Sequence, residues 1–269
     1  MIKDITLGQY FPGKSVIHRL DPRIKLLLTV MYIVMLFIAK GFSGLGMGVL
    51  FMLVSFLMSG IPIKMMLKSI KPILPIIIFT GILNLFFITS GDIIFEWWII
   101  KITDGGLRTM IFMATRIVLL ICGTSLLTYT TSPITLTDAI ERILSPLKVI
   151  KFPAHEIAMM MTIALRFIPT LIEETDKIMS AQKARGADME TGSIIKRAKA
   201  LIPILIPLFV SAFRRAEELA LAMECRCYHG GEGRTRLKQL KVSLRDYIAV
   251  AFAALFIAAI ILLNRFSPV

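Results

Sequence analysis

Residues 247–264 have the sequence YIAVAFAALFIAAIILLN, a run of eighteen positions without a charged side chain. A helix needs about 17–25 predominantly apolar residues to cross a bilayer. Four earlier stretches have a similar character, at residues 24–39, 42–59, 70–89 and 107–130. The whole chain is 56% apolar, against roughly 45–50% in a soluble domain, and its mean hydropathy is +0.78. The sequence therefore predicts an all-α integral membrane protein with about five transmembrane helices.

The basic residues predict how these helices are oriented. Cytoplasmic loops of membrane proteins are enriched in Lys and Arg. The segments before the first span and between the second and third are basic, whereas the loop between the third and fourth mixes both charges. We therefore expect a cytoplasmic N-terminus, and five crossings then leave the C-terminus outside. The first twenty residues contain no apolar core, so no signal peptide is expected. The basic residues in question are Lys14, Arg19, Arg23, Lys25, Lys64, Lys68 and Lys71.

The composition changes after the fourth span. Residues 132–246 hold 18 of the 31 basic and 13 of the 18 acidic residues, yet they retain apolar positions at helical spacing. This pattern predicts a membrane domain at 1–131, a cytoplasmic domain of amphipathic helices at 132–245, and a final transmembrane helix at 246–269. A short amphipathic helix is expected at 134–150, followed by two helices that each run about 50 Å. Ionisable residues interrupt both long helices, so neither is expected to cross the membrane.

Both long helices have predicted apolar stripes and end signals. Thr191 or Ser193 would cap the second helix, and Gly186 and Gly230-Gly231 would end the two helices. The helices would bend, if at all, at their internal prolines. The first stripe contains Ile157, Met160, Met161, Ala164, Leu165, Ile168, Leu171 and Ile172, and the second contains Ile194, Ile195, Ala198, Leu201, Ile202, Leu205, Phe209 and Phe213.

A polar motif occurs twice, at the predicted ends of the two long helices. Ala181-Gln182-Lys183-Ala184-Arg185-Gly186 ends one, and Ala222-Met223-Glu224-Cys225-Arg226-Cys227 ends the other, with the arginines 41 residues apart. Asp176 and Glu217 precede these arginines by nine residues each. One arginine in a last helical turn is explained by the helix dipole, at about 0.3–1 kcal/mol. Two small-Arg-small tips instead indicate two similar grooves, in which each guanidinium could bind a carboxylate through two hydrogen bonds.

Two features inside the spans have open interpretations. Gly44 and Gly48 form a small-x-x-x-small pair that permits close helix approach in lipid. They could pack against the first or third span, or against a second membrane protein. Arg116, in the fourth span, could contact a partner or hold the helices together.

The sequence excludes several kinds of chemistry. It has no phosphate-binding loop, because Gly230-Gly231-Glu232-Gly233-Arg234-Thr235 has the wrong spacing and lacks the lysine. Cys225, Cys227 and His229 lack the further ligand that a closed zinc site requires, and Cys122 is expected to behave as a small apolar residue. The net charge of +13 comes without a nucleic-acid-binding motif. We therefore expect no catalytic residue, cofactor, metal site or nucleic-acid partner.

Several of these segments together resemble one family, the transmembrane coupling (T) components of energy-coupling factor transporters. The resemblance covers nearly the whole chain. Its segments are His18-Arg19-Leu20-Asp21-Pro22-Arg23-Ile24-Lys25-Leu26, Pro146-Leu147-Lys148, Met161-Thr162-Ile163-Ala164-Leu165-Arg166-Phe167-Ile168-Pro169, the first arginine motif, and Arg214-Arg215-Ala216-Glu217-Glu218-Leu219-Ala220-Leu221-Ala222-Met223-Glu224.

The resemblance implies a function and a set of partners. In that family two Ala-Arg-Gly motifs end crossed coupling helices, and each docks on one of two ATP-binding-cassette ATPases. A membrane-embedded S component captures a vitamin or metal ion, and the T component transmits the ATPase motion to it. Here the first motif would be Ala184-Arg185-Gly186 and the second Cys225-Arg226-Cys227, which departs from the pattern at both small positions. The chain would then be a non-enzymatic, multi-pass protein of a prokaryotic cell membrane.

Other functions remain to be compared with this one. A stand-alone secondary transporter or channel is the main alternative, although the spans contain few acidic residues for an ion relay. A scaffold without transport and an integral-membrane enzyme are the other two. The sequence does not specify the substrate.

Overall fold

The computed structural model describes residues 10–88, 90, 92–97, 100–150, 152–187, 193–230 and 240–266. Within these residues the chain is almost entirely helical, which confirms the predicted all-α membrane fold. A short antiparallel hairpin, which was not predicted, separates the fourth and fifth helices. The elements are α1 Pro22–Ile38, α2 Phe42–Ser59, α3 Ile63–Ile70, α4 Leu74–Phe87, β1 Ile93–Trp97, β2 Ile100–Thr103, α5 Asp104–Thr130, α6 Pro133–Leu144, α7 Ala154–Ala184, α8 Ile194–Glu224 and α9 Leu244–Phe266.

The chain divides into two compact units. One comprises residues 8–136 and 239–269 and is called the membrane unit here. The other contains residues 137–238, and because α7 and α8 form most of it, it is called the helix-pair unit. In the hairpin of the membrane unit, Ile93 pairs with Thr103 and Phe95 with Ile102, so the register shifts between these pairs.

Among the described residues, five helical segments are long and apolar enough to cross a membrane: α2, the run from α3 to α4, α5, α7 and α9. This set differs from the predicted one at two places. α1, the predicted first span, has 17 residues, at the short end of the roughly 17–25 that a crossing requires. α7 was predicted to be amphipathic. Most of its charged residues lie in its C-terminal half, so the rest of the helix is apolar enough to cross a membrane.

Two predicted boundaries are wrong. The third span begins at Ile63 rather than residue 70, because α3 continues through a 3₁₀ turn at Lys71–Ile73 into α4. Lys64 and Lys68 therefore lie on a helix and not in a loop. The amphipathic helix expected at 134–150 ends at Leu144 and gives way to a 3₁₀ segment at Ser145–Ile150. The predicted end of the third span, Thr89, lies outside the described residues.

The core of the membrane unit is formed by α1, α2, α5 and α9. The Tyr32 ring stacks on Phe51 with centroids 5.5 Å apart, and Phe51 also meets Phe252 and Phe256. Gly123 of α5 lies directly under the Tyr32 ring, which an added Cβ would meet. Cys122 is buried beside this contact, as expected of a small apolar residue.

A buried polar cluster joins the beginning of α1 to the beginning of α9. Asp246 accepts hydrogen bonds from the Asp21 amide at 2.8 Å and from the Ser243 amide and hydroxyl at 2.7 and 3.0 Å. Asp21 in turn caps α1 by accepting from the Arg23 amide at 2.9 Å. The Lys25 ammonium donates to the carbonyls of His18 and Thr130. The polar residues at the beginning of α1 therefore hold this helix to α9 and to the end of α5. This structural role was not predicted from the sequence.

The opposite end of α1 is held by α5 and α9. Arg116 donates to the Ala39 carbonyl at 2.6 Å, and its guanidinium lies 4.5 Å from the centroid of the Phe112 ring. Asn264 donates to the Ile38 carbonyl at 2.7 Å. These carbonyls are the ones that the last turn of a helix leaves without an internal partner. Of the two interpretations of Arg116, the structure favours the one in which it holds the helices together.

Within the helix-pair unit, α8 exposes the apolar stripe that the sequence predicted. The helix runs unbroken through Pro203 and Pro207, and Ile204, which is off the predicted stripe, is buried. An apolar stripe is expected to face a core, so its exposure is a departure from the simplest interpretation. The exposed members are Ile195, Leu201, Ile202, Leu205, Phe209 and Phe213.

Candidate functional site

The end of α7 is a Schellman motif built on the first arginine motif. The Gly186 amide donates to the Lys183 carbonyl at 3.0 Å, and the Ala187 amide donates to the Gln182 carbonyl at 3.0 Å. This pair of bonds requires a residue in the left-handed region, and Gly186 supplies it with φ +83°. The second small position of the motif is therefore the residue that reverses the chain.

The end of α8 has the same geometry, displaced by 41 residues. The Cys227 amide donates to the Glu224 carbonyl at 2.8 Å, and the Tyr228 amide donates to the Met223 carbonyl at 3.1 Å. Cys227 takes the place of Gly186 and adopts φ +54°. A side chain in this region costs about 1–2 kcal/mol. The substitution of Cys for Gly therefore keeps the shape of the tip at an energetic cost.

Both motifs present their arginines to the surroundings. Arg185 and Arg226 are exposed, and each lies immediately before the left-handed residue of its tip. Neither guanidinium forms an ion pair or hydrogen bond with any residue that the structure describes. The flanking residues Ala184, Gly186, Cys225 and Cys227 are also exposed. The structure thus places all six predicted docking residues on two open tips, hereafter the Arg185 tip and the Arg226 tip.

An ion pair joins the two helices at equivalent positions of the repeat. Arg215 of α8 donates to Glu174 of α7 at 2.9 Å, and these residues are also 41 positions apart. Each lies eleven residues before its own tip arginine, which corresponds to about 17 Å of helix. The ion pair therefore marks the centre of an approximately two-fold arrangement.

The two tips lie on opposite sides of that centre. A second contact joins His155, near the start of α7, to Tyr228, beyond the end of α8. Between this contact and the ion pair, residue numbers rise along α7 while they fall along α8, so the helices run in opposite directions. The tips therefore point apart, with a separation of up to about 33 Å from helix rise alone. Asp176 and Glu217 lie on the same helices, Asp176 half-buried and Glu217 exposed.

The residues that hold the Arg226 tip were not predicted from the sequence. His155 Nδ1 lies 2.9 Å from a Glu141 carboxylate oxygen, and His155 Nε2 lies 3.5 Å from the Tyr228 hydroxyl. Tyr228 directly follows the left-handed Cys227, so this chain of contacts ties the reversal of the tip to α6 and α7. A lone histidine and a tyrosine 73 residues apart gave no local signal of the contact.

The other residues singled out in the sequence are the two glycines of α2 and the group Cys225, Cys227 and His229. Gly44 and Gly48 are buried where α2 meets α1, and a Cβ on Gly48 would lie 2.7 Å from Leu36. They thus take part in a contact inside the chain. Among the described residues no cluster of His, Cys, Asp and Glu is suited to a metal ion, and the His229 ring lies 2.8 Å from the Cys227 carbonyl.

Ser193 caps α8 by accepting from the Lys196 amide at 3.4 Å. The alternative cap Thr191, and Gly231 to Thr235 of the glycine-rich segment, lie outside the described residues.

Comparison with known proteins gives a consistent result. Residues 13–237 match the family described as cobalt transport protein (CbiQ). The energy-coupling factor transporter transmembrane protein EcfT of Clostridium kluyveri is 56% identical over 267 residues, covering 98% of both chains. EcfT of Ruminiclostridium cellulolyticum is 54% identical with the same coverage. EcfT of Bacillus subtilis is 45% identical over 98% of this chain and 100% of its own length.

Proposed function

Because this chain belongs to the cobalt transport protein (CbiQ) family, we propose that it is the coupling subunit of an ATP-driven importer of the energy-coupling factor type. Membership confirms the family resemblance drawn from the sequence, and it makes the chain a multi-pass membrane component of a prokaryotic transporter. A component of this kind is not itself a catalytic enzyme. In the proposal, ATP is hydrolysed by two separate ATP-binding-cassette subunits.

The observation that carries this proposal is the pair of matching tips. Ala184, Arg185 and Gly186 would enter a groove on one ATPase, while Cys225, Arg226 and Cys227 would enter the equivalent groove on the other. Two tips with the same hydrogen-bond pattern, related by an approximate two-fold arrangement, suit two similar partners. A separation of up to about 33 Å suits one ATPase for each tip. An exposed guanidinium without a partner is available for a bidentate bond to a carboxylate.

Transmission would follow from the connection between the helices. When the ATPases close or open, the tips would move with them, and the Glu174–Arg215 ion pair would couple the displacement of α7 to that of α8. In this account residues 132–245 form the cytoplasmic coupling domain, and residues 1–131 and 246–269 form the membrane domain. The N-terminus lies in the cytoplasm and the C-terminus outside.

The substrate would be captured by a separate S component embedded in the bilayer. A vitamin or a metal ion is the proposed cargo, and its identity would reside in that partner. Because Gly44 and Gly48 face α1 and not the outside, we favour helix packing over S-component contact as their role.

Charge reversal at both tips tests this proposal. The double variant Arg185→Glu, Arg226→Glu should release both ATPases, because disrupting a buried charge pair in an interface costs about 2–5 kcal/mol per site. The matched control is Arg166→Glu with Arg214→Glu, which reverses one exposed arginine elsewhere on each helix. Undiminished co-purification with the tip variant would refute the proposal. Substrate uptake by liposomes that contain this chain alone would instead support the stand-alone transporter.

A further inference from the structure

The membrane unit contains an open cavity of about 470 Å³ that the coupling function does not use. Its walls come from α1, α2, α5 and α9 and from the segment before α1, which contributes Val16, Ile17 and Leu20. On each helix the lining residues begin and end seven positions apart: Lys25 to Tyr32, Phe51 to Met58, Gly123 to Thr130, and Arg245 to Phe252. Seven residues of helix correspond to about 10 Å. The cavity is therefore a slot about two helical turns deep, at the end where α1 and α9 begin and where α2 and α5 end.

The slot offers almost nothing to water. Lys25, Thr29, Tyr32 and Thr130 already donate hydrogen bonds to backbone carbonyls, at 2.9 Å to Thr130, 2.9 Å to Lys25, 3.2 Å to Leu119 and 2.8 Å to Leu126 respectively. Ser55 is the one other uncharged hydroxyl among the lining residues, and it offers a water a single partner. A buried water needs two to four polar partners. The interior of the slot therefore suits a hydrocarbon chain.

The mouth of the slot carries a free positive charge. Arg245, the second residue of α9, lines the slot and is exposed. Its guanidinium forms no hydrogen bond or ion pair with the residues that the structure describes. Met58 and Ile248, on the rim of the slot, are exposed apolar side chains of segments long and apolar enough to cross the membrane. Such a rim opens toward acyl chains, with the cation at the level where a lipid headgroup would lie.

We propose that the slot binds one acyl chain of an anionic phospholipid whose phosphate contacts Arg245. The volume lies within the range of about 300–1,000 Å³ that is typical of ligand sites. Basic pockets between transmembrane helices are suited to anionic headgroups. The bound acyl chain would fill the slot down to Tyr32, Phe51 and Gly123, which line its inner end. It would thereby support the end of the bundle at which Asp246 joins α9 to α1.

Photolabelling tests this proposal. The transporter complex is reconstituted in phosphatidylcholine vesicles that contain a small fraction of phosphatidylglycerol with a diazirine about 10 Å along one acyl chain, which matches the depth of the slot. The expected labelled residues are Tyr32 and Phe51 at the bottom of the slot. A matching phosphatidylcholine probe should label them about fivefold less, because one basic side chain near the surface contributes about that factor for an anionic lipid.

Two variants and their controls make the result specific. Ala249→Phe fills the slot and should abolish the labelling, whereas Ala251→Phe, on an exposed position of α9 outside the slot, should not change it. Arg245→Gln should remove the fivefold preference and leave the fold intact, whereas Arg265→Gln at the other end of α9 should preserve it.

Three results would overturn the proposal. They are no label at the bottom of the slot in the unmodified complex, equal labelling in the Ala249→Phe variant, and an unchanged preference in Arg245→Gln. Displacement of the probe by inorganic phosphate would assign the Arg245 site to the free anion and not to lipid. Labelling of the isolated chain but not of the complex would assign the slot to a partner's side chain. Each of these outcomes leaves the ATPase-docking proposal untouched, since the variants lie outside both tips.

Discussion

The two tips predict opposite effects of two small substitutions. Gly186→Ala puts a side chain on a residue with φ +83°, and a Cβ there would meet no atom within 4 Å. The cost is therefore one of backbone conformation, about 1–2 kcal/mol, less about 0.4–1 kcal/mol from the stiffer unfolded chain. We expect a net loss of about 1 kcal/mol in the local stability of the Arg185 tip, which corresponds to a factor of about five. Cys227→Gly should stabilise the Arg226 tip by a somewhat smaller amount, since it relieves the same conformation.

Amide hydrogen exchange measures both changes directly. The Ala187 and Tyr228 amides each close the outer bond of a tip, so their protection reports the opening of that tip. Protection of Ala187 should fall about fivefold in Gly186→Ala, and protection of Tyr228 should rise in Cys227→Gly. Cys225→Gly is the control, because Cys225 is right-handed, with φ −60°, and glycine there should only destabilise the helix. Unchanged protection of Ala187, or lower protection of Tyr228 in Cys227→Gly, would refute the reasoning.

Three further predictions concern the membrane unit and are measured by thermal unfolding in detergent. Asp246→Ala should destabilise the chain by about 2–4 kcal/mol, because it leaves the buried Asp21 amide and the part-buried amide and hydroxyl of Ser243 without their acceptor; a midpoint equal to that of the unmodified chain would contradict this role. Arg116→Gln should cost about 1–3 kcal/mol through the lost carbonyl and ring contacts, whereas Arg108→Gln, which breaks an exposed ion pair with a neighbouring turn, should cost less than about 0.5 kcal/mol. Gly48→Ala should cost about 1–3 kcal/mol by overpacking, and Gly46→Ala, where a Cβ would meet nothing within 4 Å, should not destabilise the chain, since alanine favours a helix over glycine; equal effects at the two glycines would contradict the packing.

Helix bounds could be predicted where residues that begin and end helices stand directly beside an apolar run. The bounds of α2 match the predicted span at 42–59, because Gly41 begins the helix and Gly60 ends it with φ +68°. The prediction failed at α3, where Lys64 and Lys68 suggested a loop. Lysines four residues apart lie on one face of a helix, and in the structure Lys64 and Lys68 both lie on α3.

The site was predictable in its residues but not in its geometry. The repeat located both arginines, since two copies of a small-Arg-small pattern are visible in the chain itself. The left-handed conformation of Cys227 could not be predicted, because cysteine has no preference for that region. Contacts between distant positions, such as Asp21 with Asp246 and His155 with Tyr228, leave no periodic pattern in a single sequence. The outward stripe of α8 also contradicts the usual inference that an apolar face packs inside its own chain.

The mass of the intact complex tests the central claim most directly. Native mass spectrometry of the transporter should detect two ATPases bound to the unmodified chain. It should detect one after Arg185→Glu, one after Arg226→Glu, and none after both changes, because each tip would hold its own ATPase. Two ATPases retained by the double variant, or both lost after either single change while the Arg166→Glu control keeps two, would contradict independent docking at two tips.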